Sequence, residues 1–112
     1  MVSRLQEMIE KVCQARQLAY EFRETFNIAP VMLNKEIVAL IEQVCTETAI
    51  PALRMNSGAA HDAMVMAGHV PTGMIFLPSI GGISHNPLEY TKEKDIEKGI
   101  MVLREVVRRL II

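Results

Sequence analysis

Five consecutive residues, Gly73-Met-Ile-Phe-Leu77, carry no polar side chain, and Pro71 and Pro78 bracket them. Proline fixes its own φ and biases its predecessor toward extended backbone, so the bracketed run is too short and too confined for a helix. A short apolar run without alternation is the pattern of a central strand covered on both faces. The run therefore requires two covering layers, and the chain offers two helices for them. The first spans 35–47, is capped by Asn34, and buries a stripe of Ile37, Leu40, Ile41, Val44 and Cys45. The second spans 92–110 behind a Thr91 cap, with Glu93 and Asp95 in its first turns and a stripe of Ile96, Ile100, Leu103, Val107 and Leu110. Glu105 and Arg109 form a favourable pair four residues apart on it.

The remaining segments fit the same layered scheme. Val2, Leu5, Met8, Ile9, Val12 and Ala15 recur at helical spacing over residues 2–16. The period then changes to two, with Leu18, Tyr20 and Phe22 alternating against Ala19, Glu21 and Arg23, which predicts a half-buried strand. Residues 27–34 connect, 51–55 form a short extended piece, and 59–67 form a short alanine-rich helix ending before Gly68. Helices and strands alternating in this order predict an α/β (α+β layered) fold, with helices packed on a small mixed sheet. With 112 residues, half of them apolar, the chain suits a modest core. Its three phenylalanines and absent tryptophan leave the filling to aliphatic side chains and eight methionines.

Charge excludes one class of partner. The net charge is −1 with signs mixed along the chain, and no basic block is interleaved with aromatic residues, so a nucleic-acid footprint is absent. No apolar stretch is long enough to span a membrane, and the amphipathic start is unlike a secretory leader. Cys13 and Cys45 are widely separated in sequence, which favours reduced, packed thiols. The expected compartment is cytoplasmic.

Candidate chemistry is concentrated between Ser57 and Tyr90. That stretch holds all three histidines, five of the six glycines and one of the two aspartates. His61 and Asp62 follow a glycine turn at a helix start. A histidine beside a carboxylate can serve as base or ligand, but adjacent helical residues point about 100° apart, and helix capping with local hydrogen bonding is the plainer alternative. His85 sits in Gly81-Gly-Ile-Ser-His-Asn-Pro87, inside a Gly/Ser/Asn/Pro-rich loop from Ser79 to Tyr90. Loops of that length are usually functional or disordered, and a neutral imidazole held there is a good ligand for zinc, manganese or cobalt. A plain surface-loop histidine is the alternative. His69 is explained by capping a helix end. Ser57 and Ser79 stand beside glycine turns without triad partners and are read as structural. Gly81-Gly82 matches neither a dinucleotide nor a phosphate fingerprint.

Three segments in order carry a resemblance: Ser57-Gly-Ala-Ala-His-Asp-Ala63, Pro71-Thr-Gly-Met-Ile-Phe-Leu-Pro-Ser79 and Gly82-Ile-Ser-His-Asn-Pro-Leu-Glu-Tyr90. Together they resemble the C-terminal signature of the allantoate amidohydrolase / N-carbamoyl-L-amino-acid hydrolase family, within the two-metal aminoacylase and metallopeptidase superfamily. The resemblance implies hydrolysis of a ureido or amide C–N bond by water activated between two divalent ions (zinc, manganese or cobalt), with a glutamate moving the proton. It implies that His85 is a metal ligand and that His61 and Asp62 have a substrate-facing or supporting role. Gly82, Ile83 and Ser84 correspond to the loop presenting the ligand. It also implies two parts: residues 1–26 as the last helix and strand of a lid or dimerisation domain, and 27–112 as the C-terminal part of a catalytic domain.

The sequence departs mildly from the family at Ala60, Met64 and Asn86. The larger departure is that the family's other metal ligands, its catalytic glutamates and the lid's substrate-binding asparagine and arginine have no counterpart in this sequence. The expectation is a C-terminal fragment of such an amidohydrolase, inactive alone, with no catalytic set complete and metal binding weak or absent. Two alternatives stand beside it: a subunit of a split amidohydrolase completed by a second polypeptide, and a non-catalytic structural or interaction domain. Expected partners are a second copy, as a dimer, or the missing N-terminal portion of the enzyme.

Overall fold

The computed structural model describes residues 2–111. Its elements are α1 (Val2–Ala15), α2 (Lys35–Glu47), α3 (Asp62–Met66) and α4 (Glu93–Ile111), with a single 3₁₀ turn at Ile80–Gly82. The chain divides into two compact units, Met1–Pro30 and Val31–Ile112.

In the first unit α1 is amphipathic as its spacing predicts, and it ends in a Schellman closure. Leu18 N–H donates to Cys13 C=O (2.9 Å) and Gln17 N–H to Gln14 C=O (3.2 Å), with Gln17 in the left-handed region at φ 53°. Tyr20 and Phe22 come back along the polar side of the helix, where with Ser3, Gln6, Glu7 and Glu10 they line a shallow concavity. Val2, Leu5, Met8 and Val12 are exposed.

In the second unit the core lies between α2 and α4. Val44, Cys45, Val102 and Val106 are buried, and Leu40, Ile41, Ile50 and Ile75 pack around them. Asn34 caps α2 as expected: its Oδ1 accepts the N–H groups of Glu36 and Ile37, both at 3.0 Å. A second Schellman closure ends α2, with Ala49 at φ 53° and Ile50 N–H on Cys45 C=O at 2.9 Å. At the start of α4 the Lys92 carbonyl accepts from Asp95 (2.9 Å) and Ile96 (3.1 Å), and the expected Thr91 side-chain cap is not seen among the described residues.

The expected sheet is not there. Among the described residues there is no strand, and the second unit is helical, so the α/β fold with helices on a small mixed sheet is overturned. None of the three expected strands, 18–23, 51–55 and 73–77, pairs with another. An apolar pattern reports that a face is buried, whereas a ladder also needs a neighbouring backbone to take its N–H and C=O groups. Residues 51–60 are all exposed, and 73–77 meets side chains instead of a strand. Gly73 lies against Ile37 and Ile41 of α2, Ile75 reaches the core, and Leu77 packs over Gly99 of α4. Phe76, from the alternate set, is exposed. Met74 is half-buried and Leu77 is exposed like Phe76, so the run is covered only in part and is not the best-buried part of the chain.

The buried face of α4 also differs from expectation. Ile96, Ile100, Leu103, Val107 and Leu110 are exposed, and Val102 and Val106 face α2 instead. The helix carries two apolar rows, and the one containing Gly99 is flat enough to admit Leu77. At the C-terminal ends of the two helices, ion pairs add to the packing. Arg109 Nε donates to Glu105 Oε1 at 2.8 Å, and the same guanidinium reaches Glu47 of α2. Arg108 joins through Glu105 Oε2 at 3.0 Å. Hydrogen bonds from Arg108 and then Arg109 pull the Glu105 carboxyl from the ordinary 4.5 down to about 2. Glu47 is lowered likewise by Arg109, with help from Gln43.

Two outcomes are expected. A Cβ at Gly73 would overlap Ile37 Cγ2, close to a stiff β-branched stem, and would lie 3.2 Å from Ile41 Cδ1. Gly73→Ala should therefore cost about 1–3 kcal/mol in urea unfolding. At Gly99 the obstacle is the tip of half-exposed Leu77, and alanine gains up to about 1 kcal/mol of helix propensity, so Gly99→Ala should be near neutral. Equal losses at the two sites would contradict this packing. The second outcome concerns pH. Because the folded Glu105 carboxyl titrates below its unfolded value, its stabilisation is present above pH 4.5 and is lost as pH falls toward 2. Glu105→Gln should flatten the decline of the urea midpoint across that window, and an unchanged slope would contradict the network.

Candidate functional site

His61 is the N-cap residue of α3, with extended backbone (φ −138°, ψ 153°), and its side chain does not cap the helix. Capping does not explain it, whereas the expected alternative of local hydrogen bonding is met by Ser57. The imidazole is instead held from two sides. Nε2 lies 2.7 Å from Ser57 Oγ, and the ring meets Phe76 edge-on, with centroids 5.5 Å apart and planes at 61°. The contact with Phe76 ties His61 to the 73–77 run, which itself rests on α2 and α4. Ser57 Oγ also accepts the N–H of Ala59 at 3.2 Å, closing a small turn through Gly58. Asp62 begins α3, is exposed, and makes no side-chain hydrogen bond among the described residues. A carboxylate in the first helical turn is favourable there without further partners.

His85 lies on a loop closed at its base by Ile80 N–H on Tyr90 C=O, 2.9 Å. Inside it, Gly81 and Gly82 take φ of 68° and 67°, and His85 itself takes 53°. Glycine adopts the left-handed region freely, but a side chain there costs on the order of 1–2 kcal/mol. Contacts within the loop hold His85 in that conformation. Its N–H donates to Glu89 Oε2 at 2.8 Å, Glu89 N–H donates to Asn86 C=O at 2.9 Å, and Asn86 Oδ1 accepts Leu88 N–H at 2.9 Å. Ile83 is the half-buried residue of the loop, while Ser84 and the His85 side chain are exposed. The segment is thus ordered by its own hydrogen bonds, and it displays one imidazole. His69 is exposed just beyond α3, with its N–H on Met66 C=O at 2.9 Å.

His61 and His85 share no hydrogen bond, and among the described residues no three His, Cys, Asp or Glu side chains converge as a metal site. The donor set fits one ligand from His85 and not a two-ion centre. Both cysteines are free, with Cys45 in the core, where burial and then the Glu42 carboxylate push its thiol pKa up. Among the described residues, no helix is long and apolar enough to cross a membrane.

Three contributors escape a reading of the residues one at a time. Ser57 reads as a turn serine, Phe76 as core, and Glu89 as a surface charge. Both pairs, Ser57–His61 and His85–Glu89, are four residues apart, a spacing that has a fixed meaning only on a helix, and neither pair lies on one.

Residues 4–109 match the family model described as peptidase family M20/M25/M40. Over 103 residues the chain is 48% identical to an uncharacterized hydrolase of Haemophilus influenzae, covering 92% of this chain and 25% of that protein. It is 37% identical over 106 residues to the allantoate amidohydrolase of Escherichia coli, covering 95% and 26% respectively. To the N-carbamoyl-L-amino-acid amidohydrolase of Pseudomonas sp. (strain NS671) it is 34% identical over 106 residues, again 95% and 26%. The chain spans about a quarter of the length of the curated relatives it matches.

Proposed function

The chain belongs to peptidase family M20/M25/M40, and from that premise we propose that it is the His85-bearing portion of a metal-dependent amidohydrolase cleaving ureido or amide C–N bonds. The observation that carries this reading is the closed loop 80–90, which spends backbone strain to hold His85 in a set place. Relatives named for allantoate and for N-carbamoyl-L-amino acids supply the substrate class. In such an enzyme a divalent ion would activate water. This chain's own part is to offer the His85 imidazole from a loop tied down by Glu89 and Asn86, with His61 as a substrate-side or supporting contact.

One imidazole cannot place two ions, so no hydrolytic step runs through the described residues by themselves. The 112-residue chain is inactive alone in this account, and its remaining ligands come from other polypeptide, joined to it or separate. The open apolar row of α4, Ile96, Ile100, Leu103, Val107 and Leu110, supports association with a second copy or with that polypeptide.

The test is release of ammonia or amino acid from allantoate and N-carbamoyl-L-amino acids with manganese, cobalt or zinc added. The isolated chain should show none. Turnover by the chain alone that His85→Ala abolishes would overturn the proposed inactivity. Activity that appears only on mixing with a second polypeptide, and is lost with His85→Ala, is the outcome expected of a split enzyme.

A further inference from the structure

Ile96, Ile100, Leu103, Val107 and Leu110 of α4 are all exposed, and the steps between them alternate between four and three residues. That alternation is the a/d seam of a coiled coil, carried here on the helix Glu93–Ile111. A seam this short does not hold two free helices together, because ordering the helices costs more than the contact returns. α4 is already ordered by its packing on α2 through Val102 and Val106, so a partner meets a preformed surface.

The two flanks of the seam differ. On one lie Gly99 and Val106, which are taken up by Leu77 and by the core shared with α2. On the other lie Glu97 and Arg104, both exposed and one heptad apart. From Asp95 onward every other charge on α4 is paired: Asp95 with Lys98, and Glu105 with Arg108 and Arg109. Glu97 and Arg104 have no ion-pair partner among the described residues.

We propose that the open face of α4 is a self-association site on which two copies of this chain pair antiparallel, about a two-fold axis between Ile100 and Leu103. In that register Ile100 meets the partner's Leu103 and Ile96 meets the partner's Val107, each contact occurring twice. An antiparallel pair also brings the same flank of both helices together, so Glu97 faces the partner's Arg104 and Arg104 faces the partner's Glu97. The surface thus carries both halves of its own charge complement, which is why the occupant is a second copy. A parallel pairing would set the charged flank against Gly99 and Val106 and leave both charges without a partner. The inference goes beyond the amidohydrolase reading and does not rest on it, since it uses only residues of α4.

The experiment is sedimentation equilibrium of the full 112-residue chain from about 1 to 500 micromolar. A monomer–dimer equilibrium is expected. Leu103→Asp, at an exposed position beside the axis, should abolish the dimer, with circular dichroism and the urea midpoint checking that the fold is kept. Glu97→Arg and Arg104→Glu should each raise the dissociation constant about tenfold, because each puts like charges together twice. The double reversal should return it to within about threefold of the native value, and high salt should shrink the effect of each single reversal. A monomer at every concentration overturns the proposal and leaves the row to other polypeptide. A dimer that survives Leu103→Asp places the contact elsewhere on the chain and also overturns it. Single reversals without effect, or a double reversal no better than the single ones, overturn the antiparallel register. Hydrolysis assays do not enter any of these outcomes, so this inference and the proposed function fail separately.

Discussion

Val44 of α2 is wholly enclosed, in a cluster with Cys45 of α2 and Val102 and Val106 of α4. Full burial of one such side chain contributes on the order of 1.5–3 kcal/mol, and here four residues make up the buried core. The rest of the second unit is arranged on this helix pair. The 73–77 run lies across it through Gly73, Ile75 and Leu77, Phe76 of that run meets His61, and the His85 loop follows the run and leads into α4. Both candidate histidines therefore depend on the α2–α4 contact at one remove. The ions at its far end, Glu47, Arg109, Glu105 and Arg108, are solvent-screened, and they tie the helix ends together without being buried.

Helices were legible because their signals are local. Asn34 needs only the two amides that follow it, and Glu105 and Arg109 need only one turn of helix between them. The sheet was not, because a continuous apolar run such as 73–77, like the alternation at 18–23, also marks an extended segment that lies over helices. Gly73, Ile75 and Leu77 touch α2 and α4, and the pattern contains nothing about what the backbone bonds to. The face of α4 was misread for a related reason. Val102 and Val106 form a second apolar row beside Ile100, Leu103 and Val107, and the choice between rows is made by where a short side chain lets α2 and Leu77 approach. Left-handed backbone at Gln17, Ala49 and His85 left no mark at all, because none of them is glycine.

At the candidate site the loop was visible as a loop, since glycines, Asn86 and Pro87 mark it by composition. Its closure by Ile80 and Tyr90, and the role of Glu89, arise only from the fold. The pairing of Ser57 with His61 is of the same kind. It crosses a turn, where no periodicity fixes which side chains meet. Family membership is carried by the sequence match over residues 4–109. The two histidines differ in their surroundings, His85 with its imidazole exposed and His61 in contact with Ser57 and Phe76.

Side-chain packing of 73–77 without a backbone ladder is the feature on which the second unit most directly depends. Residue-specific hydrogen exchange of the isolated chain measures this. The amides of Ile75 and Leu77, which have no hydrogen-bond partner among the described residues, should exchange far faster than those of Val102 and Val106 within α4. Protection at Ile75 and Leu77 equal to that of α4 would mean that the run is paired as a strand, and would contradict the account.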